Sequence, residues 1–503
     1  MLGVFEMIPV LMILVFVGLL LYITRKQLGV SSFHDYATAS NTIQTMGITF
    51  GVLATWYVGA SFTAWAGFAV GFGFIAYYVT PYAIITLVVM YLVAERTYIW
   101  GKKYNCETQG ELLGTRYRSR WVRAITGLAG ALFSVPWLLM EWWTQGYVLS
   151  YATNGAISPF WGMFLGVFVV IFYVSMGGMR SVITANILQG LYMFFIGTGL
   201  MVWMIYAHFD GFGPLIATVA AEYPAALTYP GEAWDPPTAY WTSIVVTSGL
   251  AGFMWPWVYN KLFAADSLKT IKQSTLLAPI LGTVFYAVFV LLGLGLHTLP
   301  EFRANPQEAF LAFFTEAGAV PLGLLVVLIT AASLGTVSGI LNAMSTAISN
   351  DVSMVINNRI SRDTALKIAR WTVVVMGFVA LAGAAVQEGL LIFWALLTYQ
   401  GMIMLFPVVL LGLYWRRANK EGALVGFIAG TVVAMGLYLT KPAFIAGLGW
   451  SEGVYGLIVC LALMVIFGYL KPEADHVQSM WEDIAEARRT KKVEKVTDST
   501  LEY

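Results

Sequence analysis

The stretch VPWLLMEWWTQG, residues 135–146, sets one glutamate, Glu141, among Trp137, Trp142 and Trp143 in an otherwise apolar run. Gln145 follows one turn later, and the i, i+4 spacing gathers Trp137, Glu141 and Gln145 into one helical stripe. An ionisable side chain inside a membrane helix costs about 2.5–3.5 kcal/mol, so such a group is read first as functional. Three kinds of chemistry fit. A carboxyl in low dielectric can load and release a proton during a cycle. A carboxylate among tryptophan faces can hold a cationic headgroup, with cation–π contacts contributing up to about 2 kcal/mol. A carboxyl can also be hydrogen-bonded to a neighbouring helix and only hold a bundle together. The stripe alone leaves these three open.

Little else in the chain has the makings of catalysis. There are four histidines and two cysteines, Cys106 and Cys460, and no Ser/His/Asp, metal-ligand or phosphate-loop constellation falls in register. An enzyme, a resident cofactor, a disulfide framework and a metal cluster are therefore not expected. A net charge of +1 carries no nucleic-acid signal.

The elements that must position Glu141 follow from composition. Of 503 residues, 59% are hydrophobic and 11% charged, which points to a bilayer as solvent. Apolar runs of about 20 residues, long enough to cross a bilayer core as helix, lie near 5–25, 43–74, 77–98, 121–150, 158–176, 180–207, 239–262, 274–297, 319–350, 365–386, 390–414, 420–440 and 452–470. An α-helical bundle of about thirteen spans is the architecture that satisfies the backbone in lipid. The first run lacks a basic n-region and a small-residue cleavage site, so it reads as a retained helix.

Lys and Arg gather at 24–27, 96–123, 260–273, 357–370 and 415–420 and in the tail, whereas 208–237 and 299–308 are acidic or neutral. The positive-inside rule then places the N-terminus outside and the C-terminus inside a plasma membrane. On this reading Lys261 is topological, at the inner end of its helix. The polar tail, 471–503, reads as a short amphipathic helix and a disordered end, solvated and without chemistry.

Two spans are interrupted by Gly and Pro, which membranes tolerate only where the backbone is buried in protein or lines a cavity. One contains GVLATWYVGASFTAWAGFAVGFGF (51–74) and the other SGLAGFMWPWVYN (248–260), five helices later. That interval fits two five-helix repeats of inverted topology, 43–207 and 239–414, each opening on a broken helix that meets the other at a midplane site. One helix (1–30) precedes them and two (420–470) follow. In such a site Trp56, Trp65, Trp255, Trp257 and Tyr259 would face the solute, and Ser61 would offer a polar contact.

The strings YVSMGGMRSVITANILQG (173–190), LITAASLGTVSGILNAMSTAISND (328–351) and LFPVVLLGLYWRRANKEGALVGFIAG (405–430) resemble the solute:sodium symporter family. The GGMRS string and the run G-L-x3-R-x4-G-A-x2-G at 412–426 match its two signature regions. The resemblance covers roughly residues 30–430 and implies a leucine-transporter-type inverted repeat with alternating access. It also implies a sodium site where the broken first core helix meets the eighth. Carried over by motif, its positions are the carbonyls of Ala60 and Thr63 with Ala332, Gly335 and Thr336.

Three positions depart from that pattern. A hydroxyl residue of the family is Gly335 here, an aspartate after the GG motif is Asn186, and the proline transporters' aspartate is Phe62. Losing oxygens weakens a site for a hard cation, although Thr336, Asn186 and Ser338 still offer some. Coupling to sodium, coupling to protons and uncoupled passage all remain open.

The expected function is symport of a small organic solute with a cation. The absence of a Lys or Arg clearly at the midplane favours an amine-bearing zwitterion or cation such as an amino acid or betaine. A monocarboxylate or pantothenate-like solute is the alternative, and a channel or a transporter-like sensor the rival from another class. Sodium is the one implied exchangeable ligand, and the bilayer and the solute are the partners; oligomeric state is not legible.

Overall fold

The computed structural model describes residues 3–229, 238–357, 359–386, 391–490 and 493. Its main elements are helices: α1 (Val4–Thr24), α2 (Thr45–Trp56), α3 (Ala64–Phe72), α4 (Val79–Lys103), α5 (Gln109–Tyr117), α6 (Arg120–Ala152), α7 (Pro159–Leu191), α8 (Thr198–Phe209), α9 (Thr238–Gly252), α10 (Pro256–Tyr259), α11 (Lys261–Ala264), α12 (Leu268–His297), α13 (Ala319–Thr346), α14 (Arg362–Ala384), α15 (Leu391–Met402), α16 (Leu405–Tyr414), α17 (Lys420–Thr440), α18 (Glu452–Leu470) and α19 (Asp475–Thr490). The acidic stretch 231–237 and the tail end 494–503 lie outside the described residues.

Ten continuous helices among the described residues are long and apolar enough to cross a membrane. The larger number expected differs for a physical reason. Gly59–Lys103 and Pro159–Phe209 each run on through a turn that joins two expected spans. The pieces α9, α10 and α11, in contrast, are each too short to qualify.

Both breaks have local causes. α2 stops where Tyr57 (ψ 85°) leaves helical geometry. Val58 is extended, and a single short turn, Gly59–Phe62, leads into α3. Between α9 and α10, Trp255 is extended because Pro256 follows it, and a residue before proline is pushed out of the helical region. Pro256 then opens α10, where its missing N–H is not needed.

The GGMRS signature marks a crossing. Gly178 takes φ +52° inside α7, and a β-carbon there would lie 2.5 Å from the Tyr36 carbonyl oxygen. Only glycine serves both needs, a positive φ and a close backbone. The bend divides α7, so its second part continues with α8 as a separate crossing.

α13 is the axis of the bundle, with every residue from Leu325 to Ala347 buried. Its Gly, Ala, Ser and Thr let α2, the break and α6 approach closely, as small residues do in membrane helices. α19 does not behave as a solvated tail. Trp481 packs at a tilt against Trp100, ring centroids 5.3 Å apart, and the Trp100 indole N–H donates to the Met480 carbonyl at 2.9 Å. Lys103 and Tyr104 bind the Asp483 carboxylate. The amphipathic pattern was legible, but its apolar face has a docking surface on α4 that sequence does not reveal.

Candidate functional site

The break between α2 and α3 exposes backbone N–H groups that no helix satisfies. Glu141, fully buried on α6, meets them: the Gly59 N–H donates to Oε2 at 3.0 Å and the Ala60 N–H to Oε1 at 3.3 Å. A carboxylate is a strong acceptor for such donors, and negative charge is favoured where helical N–H groups point outward. The fit is close. A β-carbon on Gly59 would fall 1.9 Å from Ser333 Oγ and 2.8 Å from Glu141 Oε2. Glu141 thus joins α6 to the break beside α13.

Next to this junction the two broken helices enclose an aromatic box. Trp65 stacks on Trp137 at 6.0 Å, Trp137 meets Trp255 edge-on at 6.2 Å, and Trp255 stacks on Trp257 at 4.5 Å. Tyr399 of α15 stands edge-on to Trp137 at 5.9 Å, and Tyr82 of α4 lies over Trp56 at 6.1 Å. The indoles of Trp56 and Trp65 donate to Tyr82 and Tyr78 hydroxyls, both at 2.8 Å. Those of Trp137 and Trp255 are buried without an acceptor. The enclosed cavity is only about 20 Å³, room for about one water, so this conformation is closed around the box.

A second feature lies on the other side of α2. At Gly335 a β-carbon would be 2.6 Å from the Ala54 carbonyl oxygen and 3.2 Å from Gln189 Oε1. Gln189 Oε1, Asn186 Oδ1 and Thr336 Oγ1 are buried and unpartnered. These oxygens, from α2, α7 and α13, suit a hard monovalent cation better than any softer ligand.

The expected ion positions are only partly gathered here. Gly335, Thr336 and Asn186 belong to this cluster, and Ala332 lies one turn before Thr336 on the same helix. Ser338 donates its hydroxyl back to the Gly335 carbonyl at 2.9 Å. In the break, the Ala60 carbonyl accepts from Thr63 N–H and Thr63 Oγ1 at 3.3 and 3.2 Å. The carbonyl facing Gly335 is Ala54, six residues earlier in the chain.

Of the expected solute contacts, Trp56, Trp65, Trp137, Trp255 and Trp257 all line the cavity. Glu141 faces the break instead of the cavity, and Gln145 donates to Thr330 Oγ1 at 3.3 Å. Their helical stripe continues past the box onto α13. Ser61 is one layer away, 3.5 Å from the Tyr286 hydroxyl. Tyr259 turns to Thr97, its hydroxyl 2.7 Å from Thr97 Oγ1, because the short α10 rotates it away from Trp255.

Tyr82, Tyr286 and Tyr399 line the cavity without having been singled out. They lie on unbroken helices, α4, α12 and α15, where nothing local distinguishes a box wall from an interfacial tyrosine. Lys261 is the larger correction. It is not at a helix end in contact with water but 1% exposed. Its ammonium donates to Thr55 Oγ1 at 3.0 Å and to the Trp257 carbonyl. The available signal was its position, five residues past Pro256, which is too close to the break for a loop.

Comparison with known proteins bears directly on this arrangement. The sodium:solute symporter family model matches residues 36–430. The uncharacterised symporter YodF of Bacillus subtilis (strain 168) is 25% identical over 417 residues, 82% of each chain. The sodium/pantothenate symporter of Escherichia coli (strain K12) is 23% identical over 471 residues, 91% of this chain and 95% of that one. Among solved structures, a Na⁺-coupled sialic acid symporter in an outward-open state superposes with a TM-score of 0.74 at 19% identity, covering 94% of this chain and 99% of that one. The nucleobase-cation-symport-1 family transporter Mhp1, closed on a bound hydantoin, gives 0.57 at 15% identity over 89% and 97%. These likenesses carry the leucine-transporter-type fold, two inverted five-helix repeats opening on α2–α3 and α9–α11. With its broken helices, its GGMRS crossing and the family match over most of its length, this chain belongs to the sodium:solute symporter family.

Proposed function

We propose that this protein imports a small amine-bearing solute, zwitterionic or cationic, by cation symport across the plasma membrane. The observation that carries the reading is the aromatic box with two unpartnered indole N–H groups, those of Trp137 and Trp255. Aromatic faces attract ammonium groups, most strongly where water is excluded. The two N–H donors would take the oxygens of a zwitterion's carboxylate, and a buried donor left unpaired costs about 1–3 kcal/mol. The N–H groups of the first break, which could receive an anionic solute, are already bound to Glu141. This disfavours a simple monocarboxylate.

Cation coupling follows the family, the co-substrate being a monovalent ion, sodium or a proton. One such ion moving down 100 mV releases about 2.3 kcal/mol, enough for a gradient of roughly 50-fold at about 1.4 kcal/mol per tenfold. The basic connections support an outside N-terminus and an inside C-terminus. The test is uptake into proteoliposomes under separately imposed sodium and proton gradients. Glycine betaine, choline and proline are compared with pantothenate and a short monocarboxylate. Accumulation of an amine, weakened at least tenfold by Trp255→Ala, is expected. Accumulation of only the carboxylates overturns the reading, as does an amine flux that neither gradient drives.

A further inference from the structure

Lys261 is the buried cation that the transport reading leaves without a role. Its ammonium hydrogen-bonds Thr55 and the Trp257 carbonyl, and among the described residues no carboxylate forms an ion pair with it. Thr55 is the next-to-last residue of α2, and Trp257 lies in α10, so the lysine ties the first broken helix to the second. The node is tightly packed. A β-carbon on Gly51 would be 3.2 Å from Lys261 Cε, and one on Gly339 would be 2.6 Å from Thr55 Cγ2 and 3.6 Å from Trp257 Cβ. Three elements therefore converge on this side chain: α2, the α10–α11 pair and α13.

Its surroundings explain why a positive charge belongs there. The carbonyl end of α2 carries the negative pole of that half-helix, which favours a cation. One turn along α13 from Gly339 lies Gly335, where the Ala54 carbonyl and Gln189 occupy the space a hydroxyl side chain would need. The oxygen cage beside α2 is thus reduced on one side, and a lysine stands beside the other. An unpaired ammonium in a membrane protein is costly, and this geometry gives the cost a purpose.

We propose that Lys261 is a tethered cation that joins the two broken helices in the closed protein, supplying at the end of α2 the positive charge that an exchangeable ion would otherwise bring. The proposal rests on the symport reading only for where that ion is expected. Closure around the box then needs no bound sodium. Removing the charge should make closure depend on one.

The test is the melting temperature of the purified full-length protein in detergent, in sodium chloride and in N-methyl-D-glucamine chloride at equal ionic strength. The wild type and Lys261→Arg are expected to melt at the same temperature in both salts. Lys261→Met should melt several degrees lower in N-methyl-D-glucamine, and sodium should restore part of the loss. If Lys261→Met shows no cooperative melt, Lys261→Gln carries the test, since it removes the charge while keeping a donor toward Thr55 and the Trp257 carbonyl, and it should acquire the same sodium dependence. A wild type stabilised by sodium as much as the variant overturns the proposal. So does a Lys261→Met or Lys261→Gln protein whose melting is insensitive to sodium, since Lys261 is then a packing residue only. Amine uptake driven by sodium would leave the solute reading intact while this proposal failed.

Discussion

Glu141 and Gly59 define each other. The glutamate satisfies two N–H groups that the break would otherwise leave orphaned, and the glycine leaves the space in which its carboxylate and Ser333 sit. Glu141→Gln keeps the shape but turns an NH₂ toward one of the two donors. Losing a hydrogen bond to a charged acceptor costs about 1.5–3 kcal/mol, so thermal unfolding in detergent should come earlier, and more so for Glu141→Ala. Gly59→Ala places a methyl 1.9 Å from Ser333 Oγ, and overpacking of this kind costs about 1–3 kcal/mol. Adding Ser333→Ala to Gly59→Ala should recover part of that loss, a coupling that melting of the single and double variants measures. If the double variant melts where additivity puts it, the clash is relieved elsewhere. Glu141 was visible in sequence as an anomaly, but its partner was not. Gly59 and Glu141 are 82 residues apart, and no spacing rule connects a helix face to a break in another helix.

The docked helix α19 is the element whose behaviour should depend most on pH. The His476 ring accepts no solvent on its bound side: Nε2 lies 3.0 Å from the Arg116 carbonyl. Burial holds its imidazole below the ordinary histidine range, with the Arg116 carbonyl contact opposing that shift and the nearby Arg118 and Arg116 reinforcing it. The docked state therefore prefers neutral His476. Its contribution is present above the free-histidine value of about 6.5 and is lost as pH falls through the lower, docked value. Hydrogen exchange across 475–490 should speed up between neutral and acid pH, and less so in His476→Gln. Equal acceleration in both would assign the release to other groups. At the same end of the bundle Arg123 of α6 bridges Glu111 of α5 at 3.1 Å and Asp351 at 3.2 Å, just past α13. Breaking a buried pair by removing one partner costs about 3–5 kcal/mol. Arg123→Ala should therefore loosen the segment 347–353, read as faster exchange there with little change in α2.

The molecule as a whole is caught closed: the box holds about one water's worth of space. Admitting a solute means parting the broken helices, and Lys261, Glu141 and Arg123 are the polar links that such a movement must stretch or release. Sequence by itself determined the solvent, the class of fold, the two breaks and the family, because apolar run length, Gly/Pro placement and the GGMRS crossing are local properties of the chain. It also placed four of the tryptophans that line the box, Trp56, Trp65, Trp255 and Trp257, since these lie on or beside the breaks themselves. It could not decide that Glu141 faces a backbone and not a solute, that Ala54 and not Ala60 faces Gly335, or that Lys261 is inside. Those depend on how each helix is rotated about its axis, and in a bundle that rotation is set by packing among α2, α6, α10 and α13, elements brought together from more than 200 residues of chain.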